Sequence, residues 1–275
     1  MKADVLSNGG RTMPETVKQY STFADRVNPL VKILVAVGLF LTVILIHDPN
    51  HLFHLAVIMF ILLLLLSGVK YIYIGLLTGA ILFFGFISSL YMIFYGEGTT
   101  TIFRFGIIHV TEESAVRGIH IMMRGITLSF FGALIVFTTR ITDVFYSLMQ
   151  QGRLKPKYAY SFMAAVRMVP IIAGEYMALR RARKVRRALI HRKYITGLKG
   201  FISAIVTLLS QSIRRAWRLG VAMESKGFDD GPRTYYHRTT YSIHDLHFVL
   251  LIVLGVILSA FLGEWFSPFD TVDAR

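Results

Sequence analysis

The chain has 275 residues, of which 54% are hydrophobic, and a formal net charge of +14. A soluble chain of this length is less hydrophobic, so the composition predicts an all-α integral membrane protein. The sequence has no cysteine, which excludes disulfides and thiolate metal sites. Residues 1–26 are polar and have no apolar stretch, so they are expected to form a cytoplasmic tail rather than a cleaved signal peptide.

Long apolar runs predict five membrane-spanning helices. The runs are residues 30–46, 52–67, 71–94, 118–139 and 246–262. They are 16 to 24 residues long, or about 24 to 36 Å at 1.5 Å per residue, which is close to the roughly 30 Å of hydrocarbon that a span must cross. Asn28 is expected to cap the first helix, with Pro29 in its first turn. Residues 96–118 are less apolar and are predicted to lie on the outer side, as a short hairpin or a re-entrant segment.

Two features of the predicted spans bear on function or packing. Gly75 and Gly79 lie one helical turn apart, a spacing that permits close packing with another helix of this chain or of a second membrane protein. Arg124 lies inside the fourth span, where a charge is costly unless another group binds it.

Three histidines lie close together around the start of the second predicted span. His47, His51 and His54, with Asp48 beside them, would share one face of a continuous helix and could then bind a metal. Pro49 breaks the helix at this point, which favours a plain interfacial turn. No metal site is therefore expected, and the role of the histidines stays open.

Positive charge is concentrated in residues 140–240. This region holds 20 basic and 5 acidic residues, a net charge of +15, whereas the remainder has a net charge of −1. Because the region lies between predicted spans, the positive-inside rule places it in the cytoplasm. Five crossings then put the N-terminus inside and the C-terminus outside. The predicted organisation is a tail (1–26), four spans (27–139), the basic region (140–240), and a last span with a short tail (241–275).

Two long amphipathic helices are predicted within the basic region, each ending in small and basic residues. The first is expected to bend at Pro170 and to continue past Ala182, Arg183 and Lys184. The second starts near Leu198, and its apolar residues recur at helical spacing. Gly227 is expected to end it in the left-handed conformation, with Lys226 beside the exposed carbonyls.

Few residues suggest chemistry of their own. The chain has no phosphate-binding loop and no His-Glu-x-x-His motif, so no catalytic residue is expected. Glu175 and Glu224 have no basic residue three or four positions away on their own helix. Their partners therefore lie on another helix or another chain, or both carboxylates face water.

The two basic helix ends resemble those of the transmembrane T component of energy-coupling factor (ECF) ABC importers, the EcfT/CbiQ family. Members carry two Ala-Arg-Gly motifs on coupling helices. The matching residues here are Ala222-Met223-Glu224-Ser225-Lys226-Gly227-Phe228, Ala182-Arg183-Lys184, Arg167-x-x-Pro170 and Asn28-Pro29-x-x-Lys32. The first motif has Lys184 in place of glycine, and the second has Ser225 and Lys226 in place of alanine and arginine.

The resemblance implies an EcfT-like scaffold, not an enzyme, that joins two cytoplasmic ABC ATPases to a substrate-binding S component in the cell membrane. The ATPases would bind ATP and Mg²⁺, so no cofactor is expected in this chain. The implied ATPase-docking residues are Ala182, Arg183, Lys184, Glu224, Ser225, Lys226 and Gly227. Arg167, Pro170 and Glu175 would shape the coupling helices, and Gly75 and Gly79 would pack against the S component. The imported substrate would be a vitamin, a vitamin precursor or a trace-metal ion.

Other functions remain open at this stage. A permease of another ABC type would need a polar path through the spans, and few polar residues are found there. A membrane-embedded enzyme acting on anionic lipid would need clustered acids or histidines at the inner face. An anchor would recruit anionic lipid or acidic proteins through the basic region. Nucleic acid is not an expected partner, since the positive-inside rule already explains the charge.

Overall fold

The structure is a computed structural model that describes residues 18–95, 101–105, 108–190, 198–229, 231 and 234–266. Most of the predicted N-terminal tail and the last nine residues of the predicted C-terminal tail lie outside the described residues. The described part confirms an all-α fold. Its helices are α1 (Pro29–Leu45), α2 (Pro49–Leu66), α3 (Tyr71–Tyr95), α4 (Glu112–Thr138), α5 (Ile141–Gln150), α6 (Pro156–Ile190), α7 (Leu198–Ser225) and α8 (Ile243–Trp265).

Between α3 and α4 the structure contains a small antiparallel hairpin. Strand β1 (Thr101–Phe105) pairs with strand β2 (Ile108–Thr111). The hairpin is one of the two alternatives predicted for residues 96–118. Residues 96–100, 106 and 107 lie outside the described part of the chain.

Five helices among the described residues are long and apolar enough to cross a membrane, namely α2, α3, α4, α6 and α8. Helix α1 is also apolar but has only 17 residues, or about 25 Å. This set differs from the five predicted spans in two helices. It includes α6, which the sequence analysis places in the cytoplasmic basic region, and it leaves out α1, the first predicted span. By length and composition α6 qualifies in spite of its basic C-terminal end.

Helix starts follow capping chemistry that is visible in the sequence. The Asn28 side chain accepts the Leu30 N–H at 3.0 Å, which confirms it as the cap of α1. Helix α4 begins at Glu112, six residues before the predicted start of the span at 118. The reason is a capping box in which Thr111 and Ser114 bond to each other's backbone N–H.

The chain divides into two compact units. The first consists of Met1–Ser147 and Thr239–Arg275, and it contains the helices from α1 to α4, most of α5, and α8. The second is Leu148–Arg238, and it contains α6 and α7.

In the first unit, α4 packs along both α2 and α3, and α8 packs along α2. Lipid is as apolar as the side chains between these helices, so close packing rather than removal from water holds them together. At Gly85 of α3, an added methyl group would lie 3.3 Å from Ile126 of α4, so glycine lets the two helices approach. The core includes Leu39, Val43, Leu52, Leu55, Met59, Leu63, Phe130, Leu134 and Phe248.

Helices α1 and α4 run antiparallel, and each carries a cation that binds the C-terminal end of the other. The Lys32 ammonium of α1 donates to the Thr138 carbonyl at 2.9 Å and to the Thr138 and Thr139 hydroxyls at 3.1 and 3.0 Å. The Arg124 guanidinium of α4 donates to the Ile44 and Ile46 carbonyls at 3.4 and 3.3 Å. A cation is favourable at the negative end of a helix dipole. These contacts explain how Arg124 is accommodated inside an apolar helix.

Candidate functional site

The candidate site lies in the second unit, where α6 and α7 form a helical hairpin. In the described residues, contacts at three levels join the two helices. Residue numbers rise along α6 while those of their partners fall, from Phe228 just after the end of α7 to Ser203 near its start, so the helices run antiparallel. The three pairs are Tyr160 with Phe228, Glu175 with Arg215, and Arg183 with Ser203.

Helix α7 ends at a glycine turn, as the sequence predicts. Gly227 has a φ of 72°, in the left-handed region that favours glycine. Its N–H donates to the Glu224 carbonyl at 2.9 Å, and the Phe228 N–H donates to the Met223 carbonyl at 3.0 Å. Together these two bonds form a Schellman motif, which satisfies carbonyls of the last helical turn.

Beside this turn, the side chains of the second motif face outward. Ala222, Glu224, Ser225 and Lys226 are all exposed. The Ser225 hydroxyl donates to the Ala222 carbonyl at 3.1 Å, so it stays close to its own helix. The result is a slim helix tip that presents Lys226 next to a sharp turn.

Glu175 forms an ion pair with Arg215 of α7. Among the alternatives left open by the sequence, the structure therefore places the Glu175 partner on the neighbouring helix. The sequence could not select Arg215, because Arg214 and Arg218 are equally basic and lie on the same helix. Only the register of α6 against α7 decides which of them meets the carboxylate. An open groove beside the ion pair is lined in part by Glu175, Gln211, Arg214, Arg215 and Arg218.

Arg183 has partners within the chain that the sequence did not predict. Its guanidinium donates to the Gly200 carbonyl at 2.7 Å and to the Ser203 hydroxyl at 3.2 Å, both near the start of α7. Its neighbours Ala182 and Lys184 are exposed. The first motif thus combines one residue that joins the two helices with two that face outward.

Helix α6 passes through Pro170 without ending. Proline has no N–H, so the Val166 carbonyl loses its usual donor one turn later. Arg167 is exposed three residues before the proline. The predicted bend at Pro170 stays a prediction.

The face of α3 that carries Gly75 and Gly79 is open. A methyl group built on either glycine meets no atom of the described residues within 4 Å. The neighbouring Ile72 and Leu76 are each 76% exposed. Among the described residues, no other helix of this chain packs against the two glycines.

Of the three histidines, His51 and His54 lie in the first turns of α2, and only His47 lies between α1 and α2. His54 Nδ1 lies 2.8 Å from the Asn50 carbonyl oxygen, and His51 Nδ1 lies 3.8 Å from the Asp48 carboxylate. Helix α2 begins at Pro49, so His47 lies outside it. In the part of the chain that the structure describes, no group of three histidine, cysteine or acidic side chains is placed to hold a metal ion.

Comparison with known proteins places these features in context. The chain matches the model of the family described as CbiQ, cobalt transport protein, over residues 20–236. It is 28% identical over 256 residues to the energy-coupling factor transporter transmembrane protein EcfT of Streptococcus equi subsp. equi (strain 4047), covering 86% of this chain and 92% of that protein. It is 26% identical over 252 residues to EcfT of Macrococcus caseolyticus (strain JCSC5402), covering 88% of this chain and 94% of that protein.

A third relative gives the same result. EcfT of Thermotoga maritima is 25% identical over 256 residues, covering 89% of this chain and 91% of that protein. These relatives are transmembrane components of transporters, not enzymes, and such components work in complexes with other subunits. With its apolar helices, the chain is a multi-pass membrane protein. The resemblance seen in its helix ends is thereby confirmed, and the chain belongs to the CbiQ family of cobalt transport proteins.

Proposed function

We propose that the chain is the energy-coupling transmembrane subunit of an ECF-type ABC importer. It would link two cytoplasmic ABC ATPases, which bind ATP and Mg²⁺, to a membrane S component that binds the substrate. The substrate class we propose is a vitamin, a vitamin precursor or a trace-metal ion. The observation that carries this proposal is the α6–α7 hairpin, which has a basic group at each of its two ends.

The distance between the two basic ends supports two separate docking sites. Arg183 contacts Ser203 near the start of α7, whereas Lys226 follows the last residue of α7. The helix between Ser203 and Ser225 is about 33 Å long at 1.5 Å per residue. A single small docking groove does not cover that distance, so each end is better suited to an ATPase subunit of its own.

The docking chemistry we propose is electrostatic and steric. Lys226 would enter an acidic groove of one ATPase, where a charge-assisted hydrogen bond is stronger than a neutral one. The small Ala222 and Ser225 would let the helix tip approach closely. At the other end, the exposed Ala182 and Lys184 would contact the second ATPase, and Arg183 would hold the start of α7 in place.

Gly75 and Gly79 are proposed to face the S component. Their surroundings on α3 are open and apolar, and small residues at this spacing let two helices approach within the membrane. Membrane lipid would cover the remaining apolar surface of the first unit.

We also propose a cytoplasmic N-terminus and an outer C-terminus, with residues 140–240 on the inner side. The natural chain has no cysteine, so single cysteines can report this topology without background. Tyr236 is 95% exposed, and the Asp48 side chain is 65% exposed. A membrane-impermeant maleimide should label Asp48→Cys in intact cells and Tyr236→Cys only after permeabilisation. The reverse pattern would invert the topology.

The function itself is tested by affinity purification from native membranes in mild detergent, with mass spectrometry of the chains that co-purify. Two chains with ATPase motifs and a small hydrophobic protein are expected. Lys226→Glu should reduce recovery of one ATPase. Arg218→Glu is the matched control, because it makes the same change of charge at an exposed position in α7, about two helical turns before Lys226. Recovery of the chain alone, or equal loss with both variants, would favour an anchor that binds anionic lipid or acidic proteins through its basic face.

A further inference from the structure

A buried polar cluster lies at the start of α1, in the first unit. It consists of Asn28, Ser147 and Asp245, which are 5%, 0% and 5% exposed, and we call it the Asn28 junction. The Asn28 N–H donates to the Asp245 carboxylate at 2.7 Å. The Asn28 side-chain oxygen accepts the Ser147 hydroxyl as well as the Leu30 N–H. The cluster thus ties three helices, α1, α5 and α8, at one point.

The position of these residues in the chain gives the cluster its importance. Ser147 is the last residue of the first unit before the chain enters the second. The chain returns at Thr239, and Asp245 lies in the first turn of α8, where it also accepts the Ser242 N–H at 2.8 Å. Asn28 therefore forms a hydrogen bond close to each connection to the second unit, with Ser147 on the outgoing side and with Asp245 on the returning side.

A second set of contacts, made by Lys32, holds the same region of the first unit. Lys32 lies one helical turn after Asn28 and binds Thr138 and Thr139 at the end of α4. Helix α5 starts two residues later, at Ile141. The α4–α5 corner and the α8 start are thus both held by the first turn of α1. Hydrogen bonds in such a buried, low-dielectric environment are strong, and leaving one unmade is costly.

We infer that the Asn28 junction is the positioning element through which movement of the second unit is transmitted to the membrane-spanning helices. Asn28 would hold α5 on the outgoing connection and α8 on the returning one, so that neither connection can move independently of α1. The inference rests on the proposed function, in which ATPases move α6 and α7.

Ser147→Ala tests this inference because it removes the hydroxyl that donates to Asn28 and leaves the α1 cap and Asp245 in place. Ser259→Ala is the matched control. Ser259 is a serine of α8, 1% exposed, whose hydroxyl donates to the Val256 carbonyl of its own helix at 2.7 Å. The two variants lose the same atom from equally buried sites, but only one loses a contact between helices.

The measurement is a distance distribution between two spin labels on the full chain in lipid nanodiscs. The cysteine-free sequence allows labels at Val37→Cys in α1 and Met177→Cys in α6, both exposed. Ser147→Ala should widen the distribution relative to the unmodified background, and Ser259→Ala should not. An unchanged width for Ser147→Ala, or equal widening in both variants, would overturn the inference.

A second variant removes a different contact of the Asn28 junction, so that the test does not depend on Ser147→Ala alone. Asp245→Ala removes both acceptor oxygens, so the Asn28 N–H loses its acceptor on α8 whichever oxygen it uses. It should widen the distribution as Ser147→Ala does, and a normal width would also count against the junction.

The two proposals can fail separately. The width measured on the chain alone reports the junction whether or not ATPases bind. Adding co-purified ATPases with a non-hydrolysable ATP analogue should shift the distance in the background chain, and Ser147→Ala should reduce that shift. If Ser147→Ala widens the distribution but the ATPases cause no shift in the background chain, the result counts against the proposed function. If Ser147→Ala shows the full ATP-dependent shift, the result counts against the junction.

Discussion

Lys32→Met is the substitution with the most clearly defined expected effect. The methionine keeps most of the side-chain length but removes the ammonium, which is 1% exposed and makes three hydrogen bonds, at 2.9, 3.1 and 3.0 Å. Hydrogen bonds to a charged group contribute about 1.5–3 kcal/mol each, so the three together contribute about 4.5–9 kcal/mol. Burying the ammonium costs several kcal/mol, which offsets much of this gain. We expect a net loss of about 2 kcal/mol, mainly because the Thr138 carbonyl is left without its cationic donor.

The assay is unfolding of the purified chain in mixed micelles by titration with sodium dodecyl sulfate, followed by circular dichroism. Lys70→Met is the matched control, since Lys70 is an exposed lysine outside the helices. It makes the same chemical change and should alter the free energy of unfolding by less than about 0.5 kcal/mol. If Lys32→Met were as stable as Lys70→Met, the ammonium would not be holding the end of α4, and the account of this contact would be wrong.

The other substitutions probe single contacts. In the same unfolding assay, Arg124→Leu should cost about 1–3 kcal/mol because the carbonyls at the end of α1 lose their donor; a neutral effect would contradict that role. Gly227→Ala should strain the left-handed turn by about 1–2 kcal/mol and speed hydrogen exchange in the last turn of α7, whereas Gly220→Ala, at an open helical position, should slow exchange along α7. For Glu175 and Arg215, a double-mutant cycle with Glu175→Gln and Arg215→Gln should give a coupling energy of about 0.5–3 kcal/mol, and a value near zero would mean that the pair contributes nothing.

Local features of the fold were predictable because neighbouring residues decide them. The cap at Asn28 and the left-handed Gly227 depend on a few adjacent positions, and both predictions are confirmed. The start of α4 was missed, although Thr111 and Ser114 form a recognisable cap, because hydropathy alone placed the start of the span.

Contacts between distant parts of the chain were not predictable in the same way. The sequence indicated that the Glu175 carboxylate has no partner on its own helix, but it did not identify Arg215. Likewise, Arg183 was expected to face a partner protein, and the structure gives it contacts with Gly200 and Ser203. In each case the missing information is the register between two antiparallel helices, which one sequence does not contain. Whether the helix ends bind ATPases stays a proposal.

The reciprocal contacts of Lys32 and Arg124 have a mechanical consequence. A slide of one helical turn between α1 and α4, about 5.4 Å, would pull both cations away from their carbonyls at the same time. Two uncompensated charges would then lie in apolar surroundings, at a cost of several kcal/mol. The α1–α4 pair therefore resists shear much more strongly than its apolar contacts alone would suggest. It can tilt or rotate as one body while the two helices keep their relative depth in the membrane.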